Sequence, residues 1–168
     1  MKELILLRHA KSSWADENAA DFDRKLAPRG RKAATAIGAW LAENGFQPEV
    51  ILSSSARRTR ETVAGLGALA EPAEVVYEEA LYLAEPEAIL RRLAKLKPAV
   101  ARVLVVGHNP GLERLALRLT PEDSPEHERI AKKFPTAALA WFTIDGDAWR
   151  GLEGRTQLKR FVVPAEVD

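Results

Sequence analysis

Leu4-Ile5-Leu6-Leu7 is an unbroken apolar run. Such runs mark strands covered on both faces, as in a parallel sheet sandwiched by helices. Val50-Ile51-Leu52 repeats the pattern, and Val103-Leu104-Val105-Val106 is its clearest instance. Val75-Val76-Tyr77 reads as a short strand, and 138–144 and 158–163 as late ones. Between these runs the apolar period lengthens. Ala33, Ala34, Ile37, Trp40 and Leu41 form one stripe of a helix over 28–44. Pro28 suits its first turn and Gly45 the residue past its end, although Ala27 has no capping oxygen to offer. Helices are also predicted over 58–69, 85–96 and 112–119. The charged, Pro-flanked stretch 121–133 reads as a surface helix or a mobile excursion. Strand and helix in alternation predict a three-layer α/β/α sandwich around a mostly parallel central sheet. No repeat or low-complexity linker divides the chain, so one domain over 1–168 is expected.

Composition narrows the partners. The apolar fraction is 46%, enough for a core, and the formal net charge is only +1. There is no global field to draw nucleic acid or an anionic membrane, so any anion must be held by a few placed arginines. The absence of cysteine rules out disulfides, thiolate zinc sites and cysteine phosphatase chemistry. No apolar stretch has the length of a membrane span or a secretory leader, and a cytoplasmic monomer is expected.

Each of the three clearest runs is followed at once by polar or basic residues. The first leads into Arg8-His9-Ala10-Lys11-Ser12-Ser13-Trp14. The second leads into Ser53-Ser54-Ser55-Ala56-Arg57-Arg58-Thr59-Arg60-Glu61-Thr62, and the third into Gly107-His108-Asn109-Pro110-Gly111. Ligands of open α/β sheets bind at the carboxyl ends of strands, so parallel neighbours would bring these segments together. Arginine is a rigid fork of donors matched to phosphate oxygens. Neutral histidine is a nucleophile near pH 7. Together they suit phosphoryl transfer, which needs positioning and positive charge: His9 would take the group and water would release it. A metal centre is disfavoured because there is no HExxH and arginine adjoins the histidine ligands it would need. Ser53 to Ser55 lack the glycines of a nucleophile elbow. A phosphate-binding module without turnover remains the competing class.

These segments carry a resemblance. Leu7-Arg8-His9-Ala10-Lys11-Ser12 resembles the LRHG signature of the histidine phosphatase superfamily, with Ala10 where glycine is usual, and the spelling Arg8-His9-Ala10-Lys11-Ser12-Ser13-Trp14 resembles its SixA-like branch. Leu26-Ala27-Pro28-Arg29-Gly30 is similar to that family's LTxxG helix start. Ser54 to Thr62 resembles its S-x-x-x-R-A-x-x-T segment, and Val106-Gly107-His108-Asn109-Pro110 its second-histidine motif. Four matches in order are a specific signal. The resemblance implies a phosphoglycerate mutase-like fold, no metal and no cofactor. It implies His9 as the phosphorylated nucleophile and Arg8, Arg58 and His108 as ligands of the phosphate oxygens. Ser12 is expected to touch substrate or phosphate, and Asn109 to line the entrance. Many relatives carry an acid shortly before an aromatic residue. Glu79-Ala80-Leu81-Tyr82 fits that spacing, which makes Glu79 the candidate general acid.

A leaving imidazole needs a proton far less than an alkoxide does, since its conjugate acid has a pKa of about 6.5. That chemistry and the absence of a long lid-forming insertion favour phosphohistidine in a protein over a small phosphorylated substrate. A small-molecule phosphomonoesterase is the alternative within the class. Arg57, Arg60 and His127 read as surface residues. Trp40, Trp141 and Trp149 read as packing, and Trp14 as close enough to edge the pocket.

Overall fold

The computed structural model describes residues 1–167. In chain order the elements are β1 (Lys2–Arg8), α1 (Pro28–Glu43), β2 (Val50–Ser54), α2 (Arg57–Gly65), β3 (Glu74–Glu78), α3 (Pro86–Ala94), β4 (Arg102–Gly107), α4 (Gly111–Leu119), α5 (Pro125–Lys132), β5 (Leu139–Ile144) and β6 (Thr156–Val162). They build one sheet in the order β3-β2-β4-β1-β5-β6. β1, β2, β3 and β4 run parallel, while β5 is antiparallel to both its neighbours.

The alternation of side chains along each strand sorts the core into two layers. Leu4, Leu6, Val103 and Val105 face α3, α4 and α5, packing on Ile89, Leu115 and Ile130. Ile5, Leu7, Leu104 and Val106 face α1 and α2, packing on Ile37, Leu41 and Val63. The outward path from β1 through β2 to β3 carries α1 and α2 on one face. The return to β4 carries α3 on the other, as right-handed crossovers require. The expected three-layer sandwich is therefore the observed one.

Element ends differ from the sequence reading in places. α2 stops at Gly65, and Gly67–Leu69 form a separate 3-10 turn, with Gly67 at φ 65. The stretch after Pro121 is an ordered helix that buries Ile130, with the Ser124 hydroxyl accepting from the Glu126 N–H. Its His127 is half-buried rather than exposed. At α1, Ala27 supplies no side-chain cap, and its own N–H donates to the Lys11 carbonyl at 2.9 Å. Two of the close approaches that require glycine bear on the site. A Cβ on Gly30 would sit 2.1 Å from the Lys11 carbonyl oxygen, and one on Gly111 would sit 1.7 Å from that of Ala84. The first contact seats α1 under the loop after β1. The second seats α4 against the segment that ends in Tyr82 and Leu83.

Candidate active site

β2, β4 and β1 are adjacent and parallel, so their carboxyl ends share one sheet edge. His9 follows β1 directly, His108 follows β4, and the His9 N–H donates to the Gly107 carbonyl at 3.0 Å. The two imidazole centroids lie 5.3 Å apart with the rings tilted by 52°. Arg58 enters from the first turn of α2 and is buried. Ala10 is fully buried, and its N–H donates to Thr62 Oγ1 at 3.0 Å. That hydroxyl in turn donates to the Arg58 carbonyl, so one threonine ties the β1 loop to α2. The cleft over these groups has a volume of about 300 Å³. Arg8, His9, Ser12, Arg58, His108 and Asn109 all line it, as do Lys11, Trp14, Arg24, Leu83 and Thr136.

The hydrogen bonds decide both tautomers. His9 Nδ1 lies 2.7 Å from the Ala10 carbonyl oxygen. A carbonyl only accepts, so Nδ1 carries the proton and Nε2 keeps its lone pair. His108 Nδ1 lies 3.3 Å from an Arg58 nitrogen that only donates. Its proton therefore sits on Nε2, which donates to Ser54 Oγ at 2.8 Å. Neither ring charges readily. Burial, with a smaller push from Arg58 and Arg8, lowers His9 from its usual 6.5 to about 4, against the pull of the Ala10 carbonyl. Burial, then His9 and Arg58, lower His108 to about 3.

Linkage gives this depression a sign. The unfolded rings take up protons below their ordinary pKa, whereas the folded rings do not until near pH 4. Stability is therefore full above pH 6.5 and falls as the pH drops through that window. The expected loss is on the order of 3 kcal/mol. Urea unfolding in phosphate-free buffer at a series of pH values measures it; equal stability at pH 6.5 and 4.5 would contradict the buried neutral pair.

Arg8 Nη1 donates to the Phe134 carbonyl at 3.1 Å. Among the described residues, the Nε groups of Arg8 and Arg58 are buried without a partner. Asp21, which the sequence did not single out, organises the far side of Arg58. Its backbone carbonyl accepts from Arg58 Nη1 at 2.6 Å, and its carboxylate accepts from Arg58 Nη2 at 3.0 Å and Arg24 Nη1 at 3.2 Å. The Tyr82 hydroxyl also donates to that carboxylate. This bond, with the two guanidinium groups, holds Asp21 down at about 2 against the opposing effect of burial. Tyr82 in turn stands edge-on to the His108 ring at 5.3 Å.

The remaining expectations divide. Ser12 lines the cleft and accepts from Arg24 Nη2. Arg24 is itself buried and stacks on Trp14, 3.2 Å from the ring centroid. Asn109 lines the cleft but spends its amide on structure, donating to the Phe134 carbonyl and accepting from the Glu113 N–H. Glu79 is not brought to the imidazoles. It is exposed and lines a separate groove with Arg91, Arg92 and Lys95. The 3-10 turn Glu79–Leu81 buries Leu81 and delivers Tyr82, three residues on, to the site instead. Arg57 pairs with Glu61 on the surface. Among the described residues, no three His, Asp or Glu side chains gather in a metal-binding group, and no helix is long and apolar enough to cross a membrane.

The pattern described as "Histidine phosphatase superfamily (branch 1)" matches residues 4–82. An uncharacterized protein of Mycobacterium leprae is 37% identical over 164 residues, covering 94% of this chain and 99% of its own. The solved structure of a candidate phosphohistidine phosphatase SixA from Nakamurella multipartitia superposes with a TM-score of 0.86 at 31% identity, covering 97% of this chain and 96% of that one. Its counterpart from Agrobacterium tumefaciens gives 0.83 at 32% identity, covering 97% and 98%. With the motifs gathered on one sheet edge and relatives matched over nearly their full length, the chain belongs to the histidine phosphatase superfamily.

Proposed function

We propose that this chain is a metal-independent phosphatase that removes phosphate from phosphohistidine in proteins through a phosphoryl group carried briefly on His9. The observation that carries the reading is the state of His9. Its ring is neutral, its Nδ1–H is fixed on the Ala10 carbonyl, and its Nε2 lone pair is free in a cleft lined by the half-buried Arg8 and the buried Arg58. In the first step Nε2 bonds to phosphorus as the substrate's P–N bond breaks. The departing imidazole keeps the bond's electron pair and takes a proton from water, and the hydroxide left behind is neutralised by the proton that the attacking water releases in the second step. In the second step water attacks phosphorus, the bond to His9 breaks, and inorganic phosphate leaves with Nε2 restored. Arg8 and Arg58 supply fixed positive charge where the equatorial oxygens accumulate it. Their unpartnered buried Nε donors are groups whose burial an oxyanion ligand would compensate.

Two features support phosphohistidine over a phosphate ester. Among the described residues that line the cleft there is no carboxylate. Asp21, held at about 2, has no proton to give at neutral pH. A protein substrate is supported by the rim. Trp14 is 76% exposed and Leu83 is 50% exposed. Leu83 also holds φ at 50, a strained setting for a branched side chain. The cysteine-free sequence suits a reducing compartment, and the reading takes the chain as one catalytic domain, a monomer in the cytoplasm.

Release rates from a phosphohistidine peptide and a panel of phosphomonoesters, all with EDTA present, test this. The phosphohistidine peptide should be preferred. Strong preference for one ester would make the chain a small-molecule phosphomonoesterase. Tight phosphate binding without turnover would make it a binding module.

A further inference from the structure

A groove larger than the imidazole cleft lies beside it. It has a volume of about 750 Å³, and it meets the cleft at Lys11 and Thr136, which line both. Its floor is apolar, formed by Ala33, Pro135, Phe161, Val163 and Pro164. Its walls are basic: Lys11 from the loop after β1, Arg29 from the first turn of α1, and Lys132 and Lys133 from the end of α5. All four are exposed. Among the described residues none of the four has a carboxylate within ion-pair distance. The fifth cation, Arg129, is already taken by Glu126 and Glu166 and lies over the Phe161 ring. On a chain whose formal net charge is +1, four uncompensated cations around one apolar floor are a local device.

We propose that this groove docks an acidic, apolar-studded segment of the phosphorylated protein, next to the histidine that enters the cleft. The proposal rests on the phosphohistidine reading and adds to it the chemistry of the partner. Charge complementarity selects the occupant: carboxylates meet the lysine and arginine walls, and one or two apolar side chains cover the floor. Rim charges of this kind act on encounter and on partner choice more than on chemistry. Continuity with the cleft makes the effect visible in catalysis, since the docked segment and the phosphorylated side chain would belong to one chain.

The test uses two phosphohistidine peptides of equal length, one flanked by Glu and Leu, the other with Lys at every Glu. The full chain is compared with R29E/K132E/K133E, none of which touches the imidazole cleft. The wild type should favour the acidic peptide in kcat/KM by roughly tenfold at low salt, consistent with three exposed pairs of modest strength. The variant should lose or invert that preference while hydrolysing p-nitrophenyl phosphate at the wild-type rate. Should the charge reversal unfold the chain, R29Q/K132Q/K133Q takes its place. An unchanged preference in the variant, or equal handling of both peptides by the wild type, overturns the proposal. Anisotropy of a labelled, unphosphorylated acidic peptide separates the two readings. If no substrate is turned over but this peptide binds the wild type and not the variant, docking stands and the phosphatase reading falls. A groove filled by a second copy of the chain, seen as variant-sensitive dimerisation in sedimentation, overturns the docking proposal, as does equal binding of a single-stranded oligonucleotide.

Discussion

Alanine in place of His9 is expected to lower turnover of p-nitrophenyl phosphate by roughly 10⁴-fold or more, as removal of a covalent nucleophile does. No neighbour can substitute. His108 is the other imidazole of the cleft, and both its ring nitrogens are engaged, one by Arg58 and one by Ser54. The small, buried site should survive the change, because His9 contributes one side-chain bond, to a carbonyl beside it. Phosphate or vanadate should therefore still bind, held by Arg8 and Arg58. Loss of kcat with retained oxyanion affinity separates a missing nucleophile from a collapsed pocket. Wild-type turnover in this variant would remove His9 from the mechanism.

Arg58→Ala is expected to cost kcat/KM roughly 10³-fold, somewhat more than the loss of a single transition-state donor. Two effects add. The phosphate loses a buried fork of donors, and Asp21 loses one of its two guanidinium partners, keeping only Arg24. A less fully compensated carboxylate then stands near an anionic substrate. Removing that charge as well, in the double variant Arg58→Ala/Asp21→Asn, should recover about tenfold, a coupling of the order seen for contacting charged groups. Asp21→Asn alone should be milder than Arg58→Ala, since the Asp21 backbone carbonyl still accepts from Arg58. A double variant no better than Arg58→Ala would mean that Asp21 does not feel the loss.

The parts legible in the sequence are those in which one local pattern decides. Unbroken apolar runs located β1, β2 and β4, and the polar residues after each run fell at one edge because parallel strands end together. Arg58 rather than Arg57 was legible from the motif. The structure gives the physical reason: position 58 points into the cleft, whereas Arg57 pairs with Glu61 one turn along the outer face. Asp21 was not legible. It opens a short 3-10 turn, Asp21–Asp23, between β1 and α1, and its bonds to Arg58 and Tyr82 span separations that no periodicity encodes. Glu79 illustrates the opposite error. Its spacing to an aromatic residue was right, yet the 3-10 turn sends the tyrosine inward and the acid to another groove. Trp14 edges the cleft as read, but by stacking on Arg24, a buried third guanidinium that the sequence left unremarked.

The central claim is that the phosphoryl group passes through His9. Brief exposure of the wild type to a labelled phosphodonor, followed by rapid quench and peptide mapping, tests it most directly. The label should be lost in acid, survive in base, and map to His9; it should be absent from His9→Ala. Label on Ser12 or His108, or steady turnover with no labelled protein at any quench time, would contradict it.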